Sequence, residues 1–248
     1  MDETLSQTEI ERYARHLVIR DVGGPGQQKL KAAHVAVIGA GGLGAPCLLY
    51  LAAAGVGTLT LIDDDSIALS NLQRQVIHPT ARVGDPKVES AADALQAVNP
   101  HVALIKHQTR LSSDNASNLL QGADVVVDGS DSFETRAHVA AACEILGVPL
   151  VTGAVSVWEG SLTVLAPHRT RDDGHPYPRF ADLFPNPPAP GSLPTCAEVG
   201  VIGALTGMLG TMQAMEAIKL ITGAGEPLLG RLLLVNALTM RFEEIAYG

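Results

Sequence analysis

Residues 35–44 read VAVIGAGGLG, and after Ala45 the chain continues from Pro46 as PCLLYLAAAG. A short apolar run meets Gly39, Gly41 and Gly44 in GxGxxG spacing, with Gly42 between them, before an apolar stretch long enough for a helix. The glycines permit a sharp turn and let backbone approach a ligand closely. The helix start then presents unpaired N–H groups, which suit a phosphate. About twenty residues further on, TLTLI ends in Asp63, whose carboxylate is placed to accept ribose hydroxyls. The structural alternative is a glycine turn kept for packing, with Asp63 capping a turn. A strand before, a helix after and an acid at the right distance together favour a nucleotide.

On both sides of this loop, strand-like and helix-like segments alternate. A helical arm runs from Ser6 to Arg20, with Ile10, Tyr13 and Leu17 at helical spacing, and GGPGQQ reads as a turn after it. Beyond TLTLID come a helix over VESAADALQAV, a strand at VALIK, a helix over SSDNASNLLQG and the apolar run DVVVDG. FETRAHVAAACEILG, a further helix, leads into the strand PLVTGAV. Continuous apolar runs between helices are the pattern of parallel strands buried on both faces, so the fold class is α/β with a doubly wound sheet. After Ala154 the rhythm changes. SLTVLAP is a strand, 168–195 has no usable periodicity, and eight of the fifteen prolines fall between Pro167 and Pro194. A stretch of this length without periodicity is functional or disordered. A long helix over AEVGVIGALTGMLGTMQAMEAIKLITG and two antiparallel strands, RLLLVNA and RFEEIAY, complete the chain. No linker is marked, so 1–248 reads as one domain.

Composition narrows the partners. The 248 residues are 46% hydrophobic and 17% charged, with a formal net charge of −9. That balance argues against nucleic acid, which needs a basic face. An anionic ligand must then be held by a few local cations and by backbone N–H groups. Cys47, Cys143 and Cys196 are odd in number and widely spaced, which fits a reducing cytoplasm better than a disulfide framework. The N-terminus is acidic and polar, unlike a signal peptide. Val199 to Met215 is uncharged and contains Gly203-x-x-x-Gly207, but it falls short of the ~20 apolar residues of a membrane span. It reads as a tightly packed buried helix, with no membrane association.

The motifs GAGGLGAP, DDDSIALSNLQRQ, GDPKVES and PTCAEVGVIG carry the reading further. In order and spacing the chain resembles the MoeB/ThiF/HesA family, relatives of the ubiquitin-activating enzymes, from ERYARHLVIRD to NALTMRF. The resemblance implies a Rossmann-like sheet, mainly parallel, with antiparallel strands in the C-terminal part and a helical arm (1–25) at a dimer interface. It implies ATP-dependent adenylation of the C-terminal glycine of a ubiquitin-like sulfur carrier ending in Gly-Gly, with release of pyrophosphate, in molybdopterin or thiamine biosynthesis. It places Arg74 and Lys87 on the phosphates, Asp65, Asn71 and Gln75 in the same site, and Mg²⁺ on Asp131. It also brings Arg15 to the triphosphate from the partner subunit of a homodimer. Such placement makes chemical sense, since charge developing on the α-phosphate oxygens must be met by fixed cations. Each residue also has a plainer reading. Lys87 could be solvated in the first turn of a helix, Arg15 could pair with Glu11, and Asp131 with Glu134 could form a capping box. The family usually has asparagine after this aspartate, where Ser132 stands here.

Thr195-Cys196-Ala197-Glu198 also fits a capping box, which puts Cys196 at a helix start where its thiolate is favoured. The resemblance places this cysteine on the crossover loop (168–195), where ThiF-like members join it covalently to the carrier. An inert thiol is the alternative. Many relatives bind a structural zinc through two CxxC pairs; HPYPRFADLFPNPP has no cysteine and three cysteines cannot make a Cys₄ site, so no structural zinc is expected. A rhodanese-like extension is also missing from the sequence, which implies a separate sulfur donor. Two other classes stay open: a non-catalytic carrier-binding scaffold, and an NAD-linked oxidoreductase, which shares the glycine loop but leaves the cations unexplained.

Overall fold

In the computed structural model, residues 4–186, 188–189 and 199–247 are described. Their strands form one eight-stranded sheet. In chain order these are β1 (His34–Ile38), β2 (Thr58–Ile62), β3 (Ala103–His107), β4 (Val125–Asp128), β5 (Leu150–Ser156), β6 (Glu159–Leu165), β7 (Arg231–Asn236) and β8 (Arg241–Ala246). Their spatial order is β3-β2-β1-β4-β5-β6-β7-β8. Pairs from β3 through β5 are parallel, and those from β5 through β8 are antiparallel. The sheet is therefore of the doubly wound type, and the strand order reverses between β1 and β4. Ligands bind outside the carboxyl ends of the strands at such a switch point.

Burial explains why the central strands form. Val35, Ala36, Val126 and Val127 have no exposed surface worth counting, because helices cover both faces. One face carries α3 (Gly23–Ala32), α4 (Gly44–Ala54), α5 (Lys87–Val98) and α9 (Gly203–Thr222); the other carries α6 (Ala116–Leu120) and α7 (Phe133–Leu146). Gly55, Gly147 and Gly223 end α4, α7 and α9 in the left-handed conformation that glycine adopts without a Cβ penalty. The glycines of the uncharged run serve packing. A Cβ on Gly210 would lie 2.1 Å from the Leu43 carbonyl, so α9 crosses α4 at backbone contact. Among the described residues, no helix is long and apolar enough to cross a membrane.

Several expectations need correction. GGPGQQ is the first part of α3, not a turn. Pro25 is tolerated because the first helical N–H groups lack intrahelical partners anyway. The helix is then fixed by Leu30 and by Gln27, both fully buried, with the Gln27 amide donating to the Ala54 carbonyl at 2.8 Å. The arm is not one helix. It divides into α1 (Gln7–Arg12) and α2 (Ala14–Leu17) at Tyr13, whose ring is buried and whose hydroxyl accepts from Asn99. The helix expected over SSDNASNLLQG is reduced to α6, because Asn115 caps the preceding turn by accepting from the Ser112 N–H. The long C-terminal helix begins at Gly203. Before it, Val201 bridges to Val157, with Val157 donating to Gly200 at 3.1 Å and accepting from Ile202 at 3.2 Å. These bonds hold Val157 at φ +50°, a strained value for a β-branched residue, in the two-residue turn between β5 and β6. Finally, α7 is capped by Ser132 accepting from Thr135, so Asp131 and Glu134 form no capping box.

The stretch after β6 is partly ordered by packing. Phe180 opens the short helix α8 (Phe180–Leu183), Phe184 follows it, and both meet Phe133 at the start of α7, with ring centroids 5.4 and 5.6 Å away. The 190–195 end of the crossover loop and Cys196 lie outside the described residues.

Candidate active site

The glycine loop lies between β1 and α4 at the switch point. Gly39 has φ +86°, and a Cβ there would sit 3.1 Å from the Gly129 carbonyl, so the loop lies against the end of β4. Gly44 is more constrained: a Cβ would meet the Gly39 carbonyl oxygen at 1.7 Å. Gly41 and Gly42 face Gln75 and Thr206 respectively. The N–H groups of Gly41, Gly42 and Leu43 make no hydrogen bond among the described residues, which leaves a set of donors at a helix start.

Asp63 ends β2 beside this loop. Its carboxylate accepts from the Ala40 N–H at 2.7 Å and the Asp65 N–H at 2.9 Å, so Asp63 does cap the turn after β2 and also ties down the glycine loop. Each oxygen keeps a lone pair for a further donor. Burial pushes the Asp63 carboxyl above the usual range, opposed by the Lys87 charge and the two backbone bonds. Lys87 itself is not solvated. It is 5% exposed, and its Nζ lies 2.6 Å from Asp65 Oδ2 and 4.0 Å from Asp63 Oδ1. A bridge between Ser66 and Pro86 and the bond from Lys87 N–H to the Asp65 carbonyl bring the two motif segments together.

On the same side, Asn71 Oδ1 caps the Ala68 N–H, and Arg74 Nη1 reaches the Ser70 carbonyl at 3.2 Å, leaving most of its fork free among the described residues. Gln75 is buried with its side-chain amide nitrogen beside Gly41, and its Oε1 has no hydrogen-bond partner among the described residues. The expected residues Gly39, Gly41, Gly42, Gly44, Asp63, Asp65, Gln75 and Lys87 are thus brought together.

Three are placed differently. Asp131 is exposed just past β4 and makes no hydrogen bond or ion pair among the described residues. It stands outside the one three-carboxylate group found among the described residues, Asp63, Asp64 and Asp65. Two members of that group are already engaged by backbone and Lys87. Arg15 is exposed on α2 and does not pair with Glu11, which accepts instead from Gln7 at 3.3 Å. Cys196 lies outside the described residues.

Two buried groups escape sequence reasoning. Asp128, fully buried at the end of β4, accepts from Ser130 N–H at 2.9 Å and Thr152 Oγ1 at 3.3 Å, with Arg136 Nε at 4.0 Å. Burial raises its carboxyl; Arg136 and the hydrogen bonds oppose the rise. Arg136 in turn donates to the Ser130 carbonyl, so this cluster shapes the turn that carries Asp131. The other is His78, whose ring lies between the glycine loop and α5. A lone histidine in QRQVIHPT gives no local signal of such a position.

A cleft of about 630 Å³ lies elsewhere, lined by His168, Arg171, Tyr177 and Arg179. Its arginines are already paired with Asp173 and Asp182, so it offers no free cation set.

The ThiF family pattern matches residues 13–247. The chain belongs to the ThiF family. ThiF-family relatives align along nearly all of it. SAMP-activating enzyme E1 of Haloferax volcanii is 46% identical over 247 residues, spanning 100% of this chain and 88% of that protein. Sulfur carrier protein adenylyltransferase of Thermus thermophilus is 45% identical over 240 residues, 97% of this chain and 88% of its own length. Probable adenylyltransferase/sulfurtransferase MoeZ of Mycobacterium tuberculosis is 48% identical over 241 residues, 97% of this chain but 61% of MoeZ. Among solved structures, E. coli MccB with AMPCPP and MccA superposes at TM-score 0.82, with 21% identity over 98% of this chain and 73% of MccB. At that identity the likeness concerns the fold. As a ThiF-family chain similar throughout to proteins named adenylyltransferases, it is an enzyme of the adenylyltransferase class.

Proposed function

We propose that the chain binds ATP at the glycine loop and adenylates the C-terminal glycine of a ubiquitin-like sulfur carrier. The observation that carries this reading is the buried ammonium of Lys87, held beside a row of unpaired loop N–H groups. A hydride-transferring enzyme needs no fixed cation there; phosphoryl chemistry does. In the reaction, a carboxylate oxygen of the carrier attacks the α-phosphorus, and the bond to the bridging oxygen of the β-phosphate breaks. Pyrophosphate leaves with that electron pair, and carrier-AMP remains.

The Gly41, Gly42 and Leu43 N–H groups meet phosphate oxygens, and the orphaned Gln75 Oε1 gains a partner at the nucleotide. Lys87 exchanges Asp65 for phosphate, and Asp63 and the released Asp65 face the ribose. Arg74, with its fork free among the described residues, closes over the departing pyrophosphate, and Asn71 supports its turn. Asp131, an exposed carboxylate at the strand end, is suited to hold Mg²⁺, which when bound neutralises phosphate charge. Arg15, exposed on the arm and unpaired with Glu11, reaches the site of a second copy, so the working form is a homodimer. The names of the Thermus and Haloferax relatives support a protein substrate. A carrier ending in Gly-Gly, serving molybdopterin or thiamine synthesis and thiolated afterwards by a separate donor, fits this chemistry. Cys196 is then a candidate for covalent attachment to the carrier.

The test is ATP–pyrophosphate exchange with Mg²⁺ and candidate carriers, with and without the terminal glycine. Exchange that requires the glycine is the expected result. ATP binding without exchange by any carrier would favour a carrier-binding scaffold, and preference for a nicotinamide cofactor would overturn the reading.

A further inference from the structure

His78 is 5% exposed and touches two parts of the site at once. Its Nε2 lies 3.0 Å from the Ala40 carbonyl oxygen, and its Nδ1 lies 3.0 Å from Ser90 Oγ. A carbonyl can only accept, so Nε2 carries the proton. Burial, together with the cations of Lys87 and Arg82, pushes the ring's pKa below its ordinary value. In the neutral ring Nδ1 is an acceptor, and the Ser90 hydroxyl donates to it. Both contacts are thereby fixed in sense as well as in place.

Ala40 sits between Gly39 and Gly41, where a peptide unit flips at little steric cost. In a planar trans peptide the C=O and the following N–H point in opposite directions. The bond from His78 draws the Ala40 carbonyl inward and so aims the Gly41 N–H outward, toward the anion-binding side. Asp63 secures the other face of Ala40 by accepting its N–H. The second contact reaches α5. Ser90 follows Lys87 by three residues, so the two share a helix face. His78 therefore sets the loop donors and the Lys87 ammonium at one fixed separation.

We infer that His78 is a positioning residue for the nucleotide, acting through the Ala40–Gly41 peptide and through Ser90 on the helix that carries Lys87. The inference rests on the nucleotide site proposed above. Glutamine at this position carries its amide nitrogen out to where Nε2 lies, and so keeps the Ala40 bond. Asparagine reaches only the Nδ1 position and keeps the Ser90 bond alone.

The experiment measures binding of a non-hydrolysable ATP analogue with Mg²⁺ by calorimetry, alongside the unfolding midpoint of each variant. The wild-type chain and the variants His78→Gln, His78→Asn and Ser90→Ala are compared. The expected pattern is an affinity loss of about tenfold for His78→Asn, which loses the Ala40 bond, and a smaller loss of about threefold for His78→Gln and Ser90→Ala, which lose only the Ser90 bond. In exchange assays the Asn variant should raise the KM for ATP more than it lowers kcat. A purely structural role would lower the active fraction, and hence kcat, without moving the dissociation constant. Equal losses for Asn and Gln that track their unfolding midpoints, or no loss for Asn, would overturn the inference and leave the nucleotide site standing. No binding to the wild-type chain would instead remove the nucleotide reading, and the inference with it.

Discussion

The two sides of the proposed site are built differently. On the floor, Ala40, Asp63, His78 and Lys87 are all buried or nearly so and bonded to one another. At the rim, Asp131 is exposed and makes no hydrogen bond or ion pair among the described residues, Arg74 keeps one long bond to a neighbouring carbonyl, and Arg15, proposed to reach the rim of a second copy, is exposed and unpaired in the same way. The floor is bonded together without a ligand, while the proposed function leaves the rim to be organised by the nucleotide, a metal ion or a second subunit. Substitutions in the floor should therefore register in stability and ground-state binding, and those at the rim in rate alone.

The largest effect should come from Gly44→Ala. Its methyl would lie 1.7 Å from the Gly39 carbonyl, against backbone that cannot yield without opening the loop. A loss of about 4 kcal/mol or more in chemical unfolding, or failure to fold, is expected. A loss under about 1 kcal/mol would show that the loop is not closely set and that the floor is no more rigid than the rim. Asp131→Ala tests the opposite side. Exchange should fall about 10²- to 10³-fold while the unfolding free energy changes by less than about 0.5 kcal/mol, the range of ordinary surface substitutions. Near-wild-type exchange would remove Asp131 from the metal role.

Legibility in the sequence follows the same division. The glycine loop and Asp63 depend on local spacing, which is why a strand, a turn and an acid could be placed from residues 35–63 alone. Lys87 is legible only through its motif. Nothing local says that its ammonium is buried, because that depends on the Ser66–Pro86 bridge between distant segments. Asp128 and His78 give no signal for the related reason that their partners, Thr152, Arg136, Ala40 and Ser90, are met only in the folded chain. The helix α3 was hidden by composition. Gly-Gly-Pro-Gly normally marks a turn, and the burial of Gln27 and Leu30 outweighs that local preference.

The rim also carries the dimer proposal. Lys87→Ala and Arg15→Ala should each be deficient in exchange when assayed alone. If Arg15 acts across a subunit interface, mixing the two variants under conditions of subunit exchange restores roughly a quarter of wild-type activity. Half the dimers are then mixed, and each of these has one intact site of two. No restoration despite proven exchange of subunits would place Arg15 in its own chain's site or outside the site altogether.

The smallest effect tests whether the floor stays closed in the resting protein. Cys47 lies in α4, one turn beyond Gly44, and Cys143 lies near the far end of α7; both are buried. Burial drives both thiols well above their ordinary pKa, and the charge of Asp128 adds to the rise at Cys143. A thiol with a raised pKa stays protonated and unreactive, so moving from pH 7 to pH 9 should not speed its alkylation, whereas an ordinary thiol would accelerate. Native labelling followed by mass measurement should then modify Cys196 at most, with Cys47 and Cys143 reacting only after denaturant. Slow native labelling of Cys47 ahead of Cys143 would have a specific meaning. It would show α4 opening locally beneath the glycine loop, so that the floor, like the rim, is completed only when the nucleotide binds.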